Sequence, residues 1–342
     1  MDLFEQVISF QNLYNAYILA RRAKRYRYTV LKFSENLEKN LCALRTDLLH
    51  GTYIHGGYRE FIVTDSKKRT IQAAPFRDRV LHHALCSVIE PLFEKTFMYN
   101  SYACRVSKGT HRAVRRLQSY IQSHTRIRER EREVVPSQIY CLKCDIRKYF
   151  NSVDHVVLLC LLRKQILDPR VLRLCELIVR SVSSGIPIGN LTSQLFANIY
   201  LNELDHYVKR TLHEKQYIRY MDDFVILSTD KKRLHADKKL IEEFLRMTLK
   251  LELHPKKSDI FLIERGIDFL GYRVFPHYLT LRKSTVKRRK KKFKELVWSY
   301  KRGDISYAEI ENALCAWYGY VKHAQSWRIQ QSVCGLVKNR YK

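Results

Sequence analysis

Apolar residues recur at helical spacing through the first ~50 positions, at Leu13, Tyr17, Leu37, Leu41, Leu44 and Leu48, with little Gly or Pro between them. This predicts a helical N-terminal extension over residues 1–52. The pattern then shortens. The runs YREFIV and RTIQAA flank a polar turn at Asp65 to Lys68 and read as two strands. A helix is expected from Asp78 to Phe93, with Pro91 near its end. From Arg112 to Glu133 the chain is rich in charges of both signs and ends in RIRERERE, as an exposed helix or an insertion would be. After Pro136 short apolar runs alternate with turns. The run IYCLKCDI reads as a strand, helices follow at His155 to Gln165 and Pro169 to Val182, and the Gly/Pro loop GIPIGN leads into TSQLFANIYLNELDHYVKR. QYIRY and FVILST form a strand pair joined by Met221-Asp222-Asp223. A helix over Lys231 to Leu249, a strand-turn LELHPKKS and a strand pair around IDFLGYRVF come next, before ~60 helical, strongly basic residues. The alternation is α+β in character, and no fixed-period repeat is present.

With 46% hydrophobic residues over 342 positions, the chain can bury a sizeable core. Its 63 Lys and Arg against 34 Asp and Glu leave a formal charge of +29, which points to a polyanionic partner. Around Arg21, Arg22, Lys24 and Arg25 a solvated packing layer and a nucleic-acid contact explain the cations equally well. No run of about 18 apolar residues and no amphipathic anchor supports a membrane partner. The start MDLFEQVISF lacks the basic head and apolar core of a signal peptide, so a cytoplasmic location is expected. Nine scattered cysteines fit a reducing compartment. In CLKC, Cys141 and Cys144 point to opposite faces of a strand and cannot chelate one zinc ion together.

The chemistry is carried by carboxylates. Asp222 and Asp223 sit adjacent in a tight turn between apolar strands, where uncompensated burial costs several kcal/mol and a cation is the natural compensation. Asp is also a common turn residue, and alone the tetrapeptide Tyr220-Met221-Asp222-Asp223 decides nothing. Upstream, however, Asp145 ends the strand IYCLKCDI. A strand-end carboxylate and a hairpin carboxylate on neighbouring strands can converge on a pair of hard cations. Two such ions suit phosphoryl transfer, one activating an attacking 3′-hydroxyl and the other neutralising the leaving pyrophosphate. Because neighbouring residues of a hairpin point opposite ways, Asp222 is expected to be the inner partner of Asp145, with Asp223 more peripheral.

An ordered set of motifs, KKRTIQAAPFRDRVLHHAL, SYACRVSKGTHRAV, KCDIRKYFNSVDH, GIPIGNLTSQLFANIYL, YMDDFVIL, LELHPKKS and FLGY, resembles the reverse transcriptases. The resemblance covers about residues 53 to 281 and runs into a basic tail. It implies a right-hand polymerase with fingers and palm over 53–281, including a fingers segment around Lys67 to Arg79, and a helical thumb over 282–342. It also implies two Mg2+ ions, with Mn2+ as a substitute, held by Asp145, Asp222, Asp223 and the backbone carbonyl of Ile146, with dNTP substrates. Lys68 and Arg69 match residues on the incoming triphosphate. Phe150 matches the aromatic gate against a ribose 2′-hydroxyl, and Lys256 or Lys257 falls near the leaving pyrophosphate. Phe269, Leu270, Gly271 and Tyr272 match a primer grip. The run Lys287, Arg288, Arg289, Lys290, Lys291 and Lys292, followed by Trp298 and Tyr300, suits phosphate tracking along a template RNA or an RNA/DNA duplex.

One departure narrows the resemblance. Most reverse transcriptases carry a Gln-Gly pair and a Ser-Pro pair where this chain reads Ile188-Gly189-Asn190-Leu191-Thr192-Ser193-Gln194. An apolar residue before the Gly and Gln194 after the Ser are similar to the enzymes of diversity-generating retroelements, within the group II intron-like superfamily. That implies error-prone copying of a repeat RNA, chiefly opposite template adenine, alongside a small oligomeric basic accessory protein. Two alternatives stand beside it. One is a retron- or defence-type bacterial reverse transcriptase, which Ile188 and Gln194 argue against. The other is an RNA-binding scaffold with an inactive core, which the presence of all three acidic positions disfavours.

Overall fold

Four short helices open the chain: α1 (Leu3–Ile8), α2 (Phe10–Ala20), α3 (Tyr28–Glu35) and α4 (Leu37–Leu49). The first two start where a side chain accepts an otherwise unpaired amide, Asp2 from Glu5 at 2.8 Å and Ser9 from Asn12 at 3.3 Å. A hairpin follows, β1 (Arg59–Thr64) and β2 (Lys68–Ala73), then α5 (Phe76–Glu94) and α6 (Thr110–Glu131). Strand β3 (Tyr140–Asp145) leads to α7 (Tyr149–Ser152), α8 (His155–Arg163), α9 (Pro169–Val179) and α10 (Leu191–His206). Asp168 caps α9, and Pro169 opens it at the one position where a missing N–H costs nothing. Strands β4 (Tyr217–Tyr220) and β5 (Asp223–Ser228) and helix α11 (Lys231–Leu249) precede β6 (Asp259–Leu262), β7 (Ile267–Phe269), β8 (Tyr272–Val274) and β9 (Leu279–Leu281). Helices α12 (Lys283–Lys301), α13 (Tyr307–Val321) and α14 (Trp327–Lys338) close it. The structure is a computed structural model and describes residues 2–64, 68–131 and 138–338, with side chains left out over 125–131 and at 338. Of the turn expected at Asp65 to Lys68, residues 65–67 lie outside the described residues, as does the end of RIRERERE, and Lys68 already belongs to β2.

Contacts divide the chain into two units, one of residues 1–104, 144–224 and 236–258, the other of 105–143, 225–235 and 259–342. In the first, α2 and α10 both pack on α5. Tyr17, Phe33 and Phe76 form a ring cluster with centroids 5.2–6.1 Å apart that ties α2, α3 and α5 together. Helix α10 is buried nearly all round, which explains its lack of a polar face. Its interior amides are satisfied: Asn198 donates to the Ala103 carbonyl at 2.8 Å and Asn202 to that of Thr96 at 3.3 Å.

In the second unit β3 pairs antiparallel with β6 through Tyr140↔Leu262 to Lys143↔Asp259, and β7, β8 and β9 form an antiparallel sheet. Helix α12 packs against α13 and α14 around Phe293, Val297, Trp317 and Val333. The LELHPKKS segment differs from the strand-turn expected of it. It forms turns with a single bridge, Leu253 to Ile146, and the strand begins only at Asp259. Cys141 and Cys144 are both buried on β3. Burial pushes the Cys144 thiol up to about 12, the opposite of a metal thiolate. Among the described residues no helix is long and apolar enough to cross a membrane.

Candidate active site

The chain around Asp145 is gripped from two sides within the first unit. The His254 amide donates to the Asp145 carbonyl at 2.7 Å, and the Arg147 amide to the Glu252 carbonyl at 2.9 Å. On the other side the Ile146 amide donates to the Asp222 carbonyl at 3.1 Å. Backbone bonds, not side chains, thus bring Asp145 and Asp222 together. Between β4 and β5 the chain reverses through Met221 and Asp222, and Met221 takes a left-handed φ of +53°. A non-Gly residue there costs about 1–3 kcal/mol and persists only where its surroundings hold it.

Asp145, Asp222 and Asp223 are all partly buried. Burial first, then the negative charge of Asp145, and then Asp223 push the Asp222 carboxyl up to about 6, against the opposing pull of Lys257. Like charges crowded in this way ask for a cation. Among the described residues no three His, Cys, Asp or Glu side chains are already closed around one ion position. Lys257 takes that role instead: its Nζ lies 2.9 and 2.8 Å from the two carboxylate oxygens of Asp145. An oxygen-only donor set in which the neighbouring carboxylates help push Asp222 up fits hard divalent cations. Lys256, the other candidate, is exposed, and its amide donates to His254 Nδ1 at 3.2 Å.

A second group of expected residues meets on the loop before α10. Gly185 has φ +66°, and a Cβ there would lie 2.4 Å from the Phe150 carbonyl oxygen, so only glycine fits. That carbonyl accepts the Ile186 amide at 2.7 Å. The half-buried Phe150 ring stands edge-on to Tyr149 at 5.6 Å, and buried Tyr149 donates to the Ala197 carbonyl at 2.6 Å. Two residues on, the Ile188 carbonyl accepts the Gln72 amide of β2 at 2.9 Å. At Gly189, φ is +126° and a Cβ would lie 2.9 Å from Ile71 Cγ2. The structure therefore seats Ile188 and Gly189 against the strand that carries Lys68 and Arg69, both exposed. Gln194 is half-buried in the first turn of α10.

The pattern of the reverse transcriptase (RNA-dependent DNA polymerase) family matches residues 63–274. The chain belongs to the reverse transcriptase family. It is 28% identical to protein YkfC of Escherichia coli strain K12 over 70% of this chain and 72% of that protein. Against the group II intron-encoded protein LtrA of Lactococcus lactis it is 23% identical over 69% of the chain, and it spans about half of LtrA's length, 50%. Telomerase from Candida albicans, solved with a fragment of telomeric RNA, aligns with a TM-score of 0.52 at 12% identity, covering 84% of this chain and 54% of that one. Apo telomerase from Candida tropicalis aligns at 0.53 and 10% identity, over 83% and 58%. At such identities the likeness is one of fold, a right-hand polymerase.

In this reverse transcriptase the expected primer-grip residues form the β7–β8 turn of the second unit. Leu270 (φ +51°) and Gly271 (φ +88°) are both left-handed between the paired Phe269 and Tyr272, as a two-residue type I′ hairpin requires. A Cβ on Gly271 would meet the Tyr320 hydroxyl at 2.5 Å. The basic run on α12 divides by face. The Arg289 guanidinium lies 5.4 Å from the Trp317 ring, whereas Lys287, Lys290, Lys291 and Lys294 line a groove beside Ser332 and Gly335 of α14. Lys290 Nζ donates to Ser332 Oγ at 2.7 Å, and Arg288 and Lys292 are exposed.

Sequence reasoning missed Arg219. It is fully buried beneath the Asp222 turn and paired with buried Asp205. The available signal was a cation inside the apolar strand YIRY, which demands a buried acidic partner.

Proposed function

We propose that this reverse transcriptase copies the template-repeat RNA of a diversity-generating retroelement into cDNA, error-prone opposite template adenine, in the cytoplasm and with a small oligomeric basic accessory protein. The single observation that carries the reading is Ile188. It stands at the loop position where most of the family has glutamine, held against β2 by the Gln72 amide. An aliphatic side chain packs but cannot hydrogen-bond, so a mispair loses less there relative to a correct pair.

Asp145 and Asp222 would hold two Mg2+ ions, or Mn2+, with the Ile146 carbonyl beside them and Asp223 more peripheral. When bound, the ions supply activation of the primer 3′-hydroxyl and neutralisation of the departing pyrophosphate. Lys68 and Arg69 orient the dNTP triphosphate, and Lys257 turns from Asp145 toward the pyrophosphate. Phe150 fills the space of a 2′-hydroxyl. Phe269 to Tyr272 steady the primer strand, and the cations of α12 follow the phosphates of the template RNA and the RNA/DNA duplex.

The test is primer extension on an RNA template containing all four bases, with the products sequenced. Misincorporation concentrated opposite adenine is expected. Uniform accuracy would assign the enzyme to the retron or defence kind of bacterial reverse transcriptase, and absence of any synthesis would favour an RNA-binding scaffold.

A further inference from the structure

We propose that Arg219 is a positioning residue for the catalytic turn, acting through the backbone carbonyl of Met221. The inference rests on the reading of Asp222 as a metal ligand. Arg219 directs Nε and Nη2 to the two oxygens of Asp205 at 2.7 and 2.6 Å. Nη2 also reaches Ser101 Oγ at 3.1 Å, and Nη1 reaches Asn198 Oδ1 at 3.4 Å and the Met221 carbonyl at 3.2 Å. Asp205 accepts a further bond from the Tyr217 hydroxyl at 2.6 Å. The Arg219 backbone is fixed as well, its amide on the Asn100 carbonyl and its own carbonyl on the Tyr102 amide, both at 3.0 Å.

A buried ion pair is poor evidence of stabilisation, because a well-packed apolar pair in the same volume is often as stable. What the pair adds here is direction. Met221 sits in a left-handed conformation that a non-Gly residue keeps only under restraint. Arg219 holds the Met221 carbonyl from below, and the Ile146 amide holds the next carbonyl, that of Asp222. Two successive carbonyls anchored in this way fix the peptide planes on either side of the Asp222 Cα, from which the carboxylate projects. Lysine cannot replace the arrangement, because its ammonium lacks the planar five-donor fork that spans Asp205 and Met221 at once.

Three variants of the full chain test this, Arg219→Lys, Arg219→Met/Asp205→Leu and, as a control, Asp222→Asn. The readouts are thermal unfolding, template-primer affinity, Mg2+ dependence of synthesis, and Mn2+ binding to the nucleotide-free protein by electron paramagnetic resonance. The apolar double variant is expected to fold and to bind template-primer like the parent. Its half-saturating Mg2+ should rise about tenfold or more, with Mn2+ binding weakened in parallel and kcat reduced more than the KM for dNTP. Arg219→Lys should shift in the same direction. Parent-like Mn2+ binding and Mg2+ dependence in a folded double variant would overturn the proposal. So would its failure to fold, since the pair would then serve stability rather than position. If Asp222→Asn itself left Mn2+ binding and synthesis intact, the metal reading beneath the proposal would be at fault. If it abolished both while the Arg219 variants matched the parent, only the positioning role would fall.

Discussion

Lys257 and Asp145 form a two-pronged contact in which one ammonium reaches both oxygens of the carboxylate, at 2.9 and 2.8 Å. The lysine therefore occupies the very group proposed to bind metal, and a cation must displace it. The pair is partly exposed, with the lysine side chain 36% accessible, so its strength is set by screened attraction of at most about 1 kcal/mol. Removing the competitor should accordingly tighten Mn2+ binding to the nucleotide-free protein only severalfold. We predict that Lys257→Met does so while slowing primer extension, because the pyrophosphate loses its counter-charge. Asp145→Asn should instead lose both binding and synthesis. Calorimetric Mn2+ titrations of the two variants separate the cases, and unchanged affinity in Lys257→Met would mean that the contact does not compete with metal.

Much of the fold was legible because its signals are local. The short β-prone runs YREFIV and RTIQAA on either side of a polar turn yield β1 and β2, and the run from Lys231 to Leu249 is helical to the residue. The Asp222 turn was legible as a hairpin because Asp favours turns and the runs on either side are apolar and strand-forming. Strands β6 and β9 were not, being four and three residues long; β6 is stabilised by β3, more than a hundred residues upstream, and β9 is too short for a period to show. Spacing could not choose between Lys256 and Lys257 as the lysine near the pyrophosphate; the turn at His254 brings Lys257, and not Lys256, to Asp145. Arg219 and Asp205 stayed hidden for the same reason. Each is intelligible only once the other is beside it, and they stand fourteen positions apart in the chain.

The Phe150 ring is half-buried against Tyr149, but the backbone of Phe150 is held independently by the Ile186 amide. Truncating the side chain should therefore leave the loop in place and open the space a 2′-hydroxyl needs. Phe150→Ala is expected to incorporate ribonucleotides at least tenfold more readily relative to deoxynucleotides, a change of about 1.4 kcal/mol in discrimination. Synthesis with dNTPs should persist. Competition assays with mixed rNTP and dNTP pools give the ratio, and parent-like rejection would make Phe150 a packing residue only.

His82 of α5 is buried with its Nε2 3.3 Å from that of His55. Burial, then His55, His83 and Arg79, push its pKa down to about 3. The unfolded chain thus binds a proton from about pH 6.5 downward that the folded chain refuses. The stability this histidine permits is whole above that value and drains away as pH falls toward 3, at no more than about 1.4 kcal/mol per pH unit. Urea unfolding at about pH 7 and about pH 5 should show the loss, and His82→Leu should flatten it. An equal pH slope in parent and variant would assign the acid sensitivity to other groups.

Ile188 allows the most specific prediction. Its carbonyl is fixed by the Gln72 amide, and Gly189 beside it admits no Cβ without pressing on Ile71, so the position of residue 188 depends on the backbone rather than on its own side chain. Exchanging that side chain should then change what faces the nascent pair without moving the loop. A glutamine could hydrogen-bond there and stiffen a correct pair more than a mispair, and even about 1.4 kcal/mol of that difference is tenfold in error rate. We predict that Ile188→Gln lowers misincorporation several-fold opposite template adenine and changes errors opposite the other bases little. The preference for adenine comes from the resemblance to retroelement enzymes, not from the missing bond, so the two parts can fail separately. The measurement is the base-by-base error spectrum of parent and variant on one RNA template, with Gly189→Ala as a probe of loop position. An unaltered spectrum in Ile188→Gln would remove the residue from fidelity. A uniform gain in accuracy would keep Ile188 in the mechanism and discard adenine selectivity as its consequence.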